Sequence, residues 1–201
     1  MTQNVIDQVN LGFTHEDMGS QQVFRQALEA LSRPAQWLPL LHDAAVPIGI
    51  CRSSAGMMLA LLDANCALWL SEKLKKHEIC AWLRFHTGCQ ITDEIKHAQF
   101  AWLACNDTWP HLNTFNWGTD IEPQNACTIL IDVDLNEIGT PVKAEGPGLI
   151  APVTILLPKL GEDFPTERRQ AFESFPCGPD IFLCADEAVM GLPRTTSLNF
   201  S

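Results

Sequence analysis

The sequence predicts a three-layer α/β fold with a mixed sheet, on three observations. Segments of helical period alternate with short continuous apolar runs for most of the length, as helices covering a buried sheet require. Two apolar runs near the C-terminus are separated only by the polar Asp186-Glu187, which adds an antiparallel hairpin to the sheet. No repeat, low-complexity stretch or long Gly/Ser/Pro linker divides the 201 residues. Residues 19–201 are therefore expected to form a single α/β domain, behind a flexible N-terminal arm of residues 1–18.

Gly19-Ser20 reads as the start of a first helix, with Val23, Phe24, Ala27, Leu28 and Leu31 at helical spacing and Arg33-Pro34 ending it. A short extended piece spans 37–41. Ser53 or Ser54 is the expected cap of a second helix over 55–62, apolar all round and so buried. Asp63-Ala64-Asn65 breaks it, and 66–70 reads as a buried strand. Ser71 is the expected cap of a third helix that turns Leu74, Ile79, Trp82, Leu83 and Phe85 inward, keeps three lysines wet and stops at Gly88. The aromatic run 99–105 reads as a core strand. In the polar 106–117, Pro110 suits the first turn of a short helix. The run 128–133 is continuous and β-rich, as for a strand covered on both faces. Gly146-Pro147-Gly148 marks a bend near an extended segment, Thr166 is the expected cap of a helix over 167–174, and 180–184 with 188–192 form the hairpin.

Bulk numbers narrow the function. With 46% hydrophobic and 18% charged residues, the chain can bury a core without staples. A net charge of −11 repels a phosphate backbone and an anionic lipid surface, so neither nucleic acid nor membrane is an expected partner. The longest apolar stretch, 57–62, falls far short of the roughly 18 residues of a spanning helix, and the polar start carries no signal-peptide pattern. The expected compartment is the cytoplasm. The eight cysteines show no C-x-x-C and several sit in apolar runs, so reduced, buried thiols are expected.

Familiar catalytic signatures are missing. There is no P-loop, no G-x-S-x-G nucleophile elbow and no G-x-G-x-x-G dinucleotide loop, and His77-Glu78 lacks a second histidine at i+4. His86, His97, His111 and Asp93 have no ligand spacing, so no metal is expected. Two polar clusters remain. The first, Arg84 with His86 and Thr87 before Gly88, sets a guanidinium beside an imidazole and a hydroxyl. That group suits phosphate or phosphonate oxygens, and it equally suits a helix C-cap. The second, Arg194-Thr195-Thr196 after Leu192-Pro193, suits an anion or a partner's carboxylate, or is a plain surface tail. Asp63 and Asp180 are caps or site acids, and Trp109 and Trp117 are candidates for a partner surface.

In order along the chain, Phe24-Arg25 with Leu28, Leu31-Ser32 and Pro34, then Leu61-Leu62-Asp63, Trp69-Leu70-Ser71 and Leu83-Arg84-Phe85-His86-Thr87-Gly88 resemble the PhnH component family of carbon–phosphorus lyase. Gly118-Thr119, Glu122-Pro123, Ala126, Thr128, Gly146-Pro147-Gly148, Phe175-Pro176, Gly178, Asp180 and Leu192-Pro193-Arg194-Thr195-Thr196 continue the likeness. It covers residues 12–198, with departures at Ala35, Asn125 and Cys127. The resemblance implies a fold related to the large domain of pyridoxal-phosphate-dependent transferases, yet without pyridoxal phosphate or any other cofactor. It also implies a homodimer that joins the G, I and J components and works with L. That machinery displaces adenine from ATP by a phosphonate, giving ribose 1-phosphonate 5-triphosphate. The chain is then expected to be a supporting, non-catalytic subunit, inactive alone, with Arg84, His86, Thr87, Arg194, Thr195 and Thr196 at an anion site or an interface. The competing expectation is a small stand-alone enzyme on a phosphorylated or phosphonate substrate, with Arg84 as clamp and His86 as general acid/base. A third, a pyridoxal-phosphate transferase, needs a Schiff-base lysine, and none of the six lysines sits in an obvious loop for one.

Overall fold

The computed structural model describes residues 12–200; the first eleven residues of the expected arm lie outside them. The chain runs α1 (Glu16–Ser32), β1 (Leu38–Pro39), α2 (Arg52–Leu61), β2 (Ala67–Leu70), α3 (Glu72–Lys75), α4 (Ile79–Thr87), β3 (Gln90–Ile91) and β4 (Phe100–Leu103). It continues with β5 (Thr128–Asp132), β6 (Thr140–Glu145), β7 (Val153–Leu157), α5 (Phe164–Glu173), β8 (Asp180–Ala185), β9 (Ala188–Leu192) and β10 (Ser197–Phe200).

Seven strands form a mixed sheet in the order β1-β9-β8-β5-β4-β2-β3. Strands β8, β5, β4, β2 and β3 are mutually parallel, and β9 runs against both β8 and β1. Strand β5 alternates across this sheet. Leu130 and Asp132 face the side covered by α1, α2 and α4, with Trp102, Phe182 and Cys184 as cross-strand companions. Ile129 and Ile131 face the other side, where α5 and a three-stranded antiparallel sheet, β10-β6-β7, close a second core. The predicted α/β class, mixed sheet and C-terminal hairpin are all present.

Several elements differ from expectation, each for a physical reason. Helix α1 starts at Glu16, ahead of Gly19, with Glu16 and Asp17 answering the positive helix start. It buries Val23, Ala27 and Ala30, leaving Phe24 and Leu28 exposed. The absent side chain of Gly191 lets α1 lie directly on β9: a Cβ there would stand 2.3 Å from the Ala30 carbonyl oxygen. Helix α2 starts early as well. Cys51 is its N-cap, and Ser53 and Ser54 lie within the first turn with their hydroxyls turned to the sheet. The third expected helix is two, α3 and α4, with Lys76–Glu78 between. Ser71 accepts the Ala104 N–H (3.0 Å) and gives no side-chain cap. Helix α5 begins at Phe164 with Pro165 in its first turn, two residues before Thr166. The polar 106–117 holds only a 3₁₀ turn at Leu112–Thr114. No helix among the described residues is long and apolar enough to cross a membrane.

Candidate functional site

The two predicted clusters do not meet. Arg84 to Gly88 end α4 and lead into β3, and Arg194 lies beside the first residue of β8. Both positions are at the amino ends of the parallel strands, but β9 and β3 are five strand steps apart, about 24 Å at ordinary strand spacing.

At the first cluster the backbone closes a helix C-cap. Gly88 is left-handed (φ 72°) and its N–H reaches the Arg84 carbonyl (3.0 Å). The Thr87 hydroxyl donates to the Leu83 carbonyl (2.8 Å) and accepts the Cys89 N–H (3.1 Å), so it is spent on the cap. His86 stands edge-on to Trp82 and Phe85, with its Nε2 buried and without a hydrogen-bond partner among the described residues. Arg84 and Phe85 are exposed, and the Arg84 guanidinium makes no hydrogen bond or ion pair among the described residues.

The second cluster is a tie inside the molecule and not a tail. Arg194 Nη2 lies 2.8 Å from Asp180 Oδ2, and Nε reaches Oδ1 at 3.3 Å. Its Nη1 also donates to the carbonyls of Pro123 (2.7 Å) and Pro176 (3.1 Å). Beside it Arg168 is fully buried and donates to the carbonyls of Pro193 and Thr196, while its Nε and Nη1 have no partner among the described residues. Burial lowers the Arg168 pKa to about 10, which leaves it charged at neutral pH. The Thr195 backbone closely faces Gly146, and Thr196 is buried with its hydroxyl unpaired among the described residues.

The remaining candidates are scattered. His97 pairs with Glu94, His111 with Glu167 and Asp93 with Lys75. No group of three His, Cys, Asp or Glu among the described residues has the arrangement to hold a metal ion. Asp63 accepts the Asn65 N–H (2.7 Å), which holds its carboxyl below the usual range. Trp109 and Trp117 pack against the second core, and the Trp117 indole donates to the Leu112 carbonyl (2.7 Å).

A concavity of a different kind lies at the opposite, carboxyl ends of the parallel strands. A cleft of about 850 Å³ opens between the segments that follow β2, β4, β5 and β8. Open α/β sheets place ligands there, where chain order reverses. Here β2 lies between β3 and β4, so the chain turns one way and then the other around it. In the wall of the cleft stands Asp132, the last residue of β5, 8% exposed. Ser54 from α2 and the Trp102 indole of β4 (2.8 Å) both donate to its Oδ1. Burial dominates over these bonds and raises the carboxyl to about 7. The Cys51 thiol is pushed up to about 12 by burial, with the Asp132 charge adding to it, and Ser53 fastens α2 to the Ala185 carbonyl of β8. An acid ending an apolar β run was the available sequence signal for Asp132. The partners that hold it are 30 and 78 residues away in the chain.

The family model of the bacterial phosphonate metabolism protein PhnH matches residues 11–199. The chain is also 34% identical over 182 residues to the alpha-D-ribose 1-methylphosphonate 5-triphosphate synthase subunit PhnH of Rhizobium meliloti (strain 1021), a match that covers 89% of this chain and 90% of that protein. The ordered motifs from Phe24-Arg25 to Thr196, the mixed α/β sheet and these two matches converge: the chain belongs to the PhnH family of bacterial phosphonate metabolism proteins.

Proposed function

We propose that this chain is a subunit of the synthase that makes ribose 1-methylphosphonate 5-triphosphate, within the carbon–phosphorus lyase core. The observation that carries this is the 34% identity to a PhnH subunit of that synthase across nine-tenths of both proteins. In this reading the chain assembles with the G, I and J components, serves the reaction in which a phosphonate displaces adenine from ATP, and is inactive alone. The surface supports a docking role. Phe24 and Leu28, one turn apart on α1, are 44% and 52% exposed, and Phe85 beside Arg84 is 59% exposed. Arg84 is the candidate we assign to a partner's carboxylate or phosphate, and we read Arg194, Thr195 and Thr196 as the brace behind the second sheet. A homodimer and a cytoplasmic location belong to the same proposal.

We also read the fold as kin to the large domain of pyridoxal-phosphate-dependent transferases with its cofactor chemistry gone. A seven-stranded mixed sheet flanked by two cores supports the kinship. The cleft does not fit the cofactor. Its lysine, Lys73, is held by the carbonyls of Cys105 and Asn106, and Asp132, Asp134, Asp186 and Glu187 line the same space, where a cofactor phosphate is repelled.

The test is co-expression of the tagged full chain with the other components, followed by pull-down and assay of adenine release from ATP and methylphosphonate. A stable complex whose adenine release depends on the chain supports the subunit reading. Turnover by the isolated chain, with no complex, replaces it with the stand-alone enzyme.

A further inference from the structure

The charge of the cleft selects its ligand. Three exposed carboxylates, on Asp134, Asp186 and Glu187, line it with the buried acid Asp132, against His77 and Lys73, whose ammonium is already engaged by two carbonyls. At the start of α2 the Arg52 N–H already points to Asp186 (3.4 Å), and the Ser54 hydroxyl donates to Asp132. Phosphates and phosphonates meet repulsion there.

Asp132 adds a specific demand. Its hydrogen bonds from Ser54 and Trp102 both end on Oδ1, and no N–H or hydroxyl among the described residues bonds Oδ2. The nearby Cys51 thiol is a weak donor. The Oδ2 oxygen is open to the cleft and can accept a donor from an occupant. Leu135, half exposed, lines the same space and offers apolar surface to a ring, with the edges of the buried Ile50 and Leu74 behind it.

We propose that this cleft binds an uncharged nitrogen base, a heteroaromatic ring that lies against Leu135 and donates an N–H to Asp132 Oδ2. The inference rests on the proposed reaction for its natural candidate. ATP, the phosphonate and the ribose product all carry negative charge, and adenine alone does not. The cleft then serves the departing base and leaves the triphosphate to another part of the assembly. The carboxyl faces Ser54 and Cys51 from α2, Trp102 from β4, and Cys184 with Asp186 from β8 and its turn, so its own ionisation is the event that pH controls. Ionised Asp132 accepts better than the acid, and base affinity rises from pH 6 to pH 8.

The experiment is calorimetric titration of the full chain with adenine, ATP and methylphosphonate, for wild type and Asp132→Asn, at pH 6 and pH 8. We expect adenine to bind wild type, to lose about tenfold in affinity in the variant, and to lose its pH dependence there. ATP and methylphosphonate bind more weakly than adenine. A second measurement needs no variant: adenine, and not methylphosphonate, slows alkylation of Cys105 in the cleft wall. No adenine binding, equal binding by Asp132→Asn, or ATP binding more tightly than adenine each overturns the proposal. Pull-down separates the two ideas: a chain that joins the complex but ignores adenine loses only this site, and one that binds adenine but joins no complex loses only the subunit role.

Discussion

Arg84 and Arg194 are each an arginine followed within three residues by threonine, and their surroundings give them opposite tasks. Arg194 spends its guanidinium on Asp180 and two carbonyls, with its side chain only 15% exposed. Arg194→Ala strands a largely buried Asp180 and is expected to cost about 3 kcal/mol, read as a lower unfolding midpoint. Arg194→Lys recovers only part, because an ammonium cannot fork across both carboxylate oxygens. Among the described residues Arg84 has no such partner. Arg84→Ala is expected to shift stability by less than about 0.5 kcal/mol while weakening capture of the partner subunits in the pull-down. An unfolding effect larger than that, with capture unchanged, would return Arg84 to the role of a plain cap. From the sequence these two motifs are alike, since what separates them is Asp180, Pro123 and Pro176, and only folding brings those to Arg194.

Among the elements, legibility follows how local the cause is. The hairpin of β8 and β9 is readable because two apolar runs flank one acidic pair. Strand β5 is readable because burial on both faces makes its sequence continuously apolar. The edge of the second sheet is not: β6 carries Pro141 and Lys143, and β10 becomes a strand only by pairing with β6. Helix α1 shows the same limit on its faces. Its apolar positions predict that Phe24 and Leu28 point inward, but the close approach to β9 requires the alanines there. Two predictions belong to this element. Gly191→Ala forces α1 off β9 and is expected to cost about 3 kcal/mol in thermal unfolding. Phe24→Ser, on the open face, leaves the midpoint within about 0.5 kcal/mol and reduces assembly.

For the whole molecule, burial of Asp132 couples the cleft to stability against pH. Its folded pKa, about 7, lies above the 3.8 of an ordinary aspartate. Between those values the folded protein holds a proton that the unfolded chain has released, so stability falls as pH rises from about 4 to about 7 and stays low above it. The gap is worth on the order of 4 kcal/mol at most, and hydrogen bonds from Ser54 and Trp102 already reduce it. His42 works the other way: burial lowers its pKa, and it destabilises the fold as pH drops through the normal histidine range. Wild type alone therefore shows a blurred profile, and the difference between wild type and Asp132→Asn isolates the carboxyl. Asparagine can still accept at Oδ1 from both donors and carries no charge. The variant is expected to match wild type within about 1 kcal/mol near pH 5 and to be more stable by a few kcal/mol at pH 8, as read by denaturant midpoints at the two pH values. Equal profiles would mean that Asp132 is solvated through the cleft and not held by the sheet. A variant less stable at both pH values would mean that the carboxylate's bonds to Ser54 and Trp102 outweigh its burial.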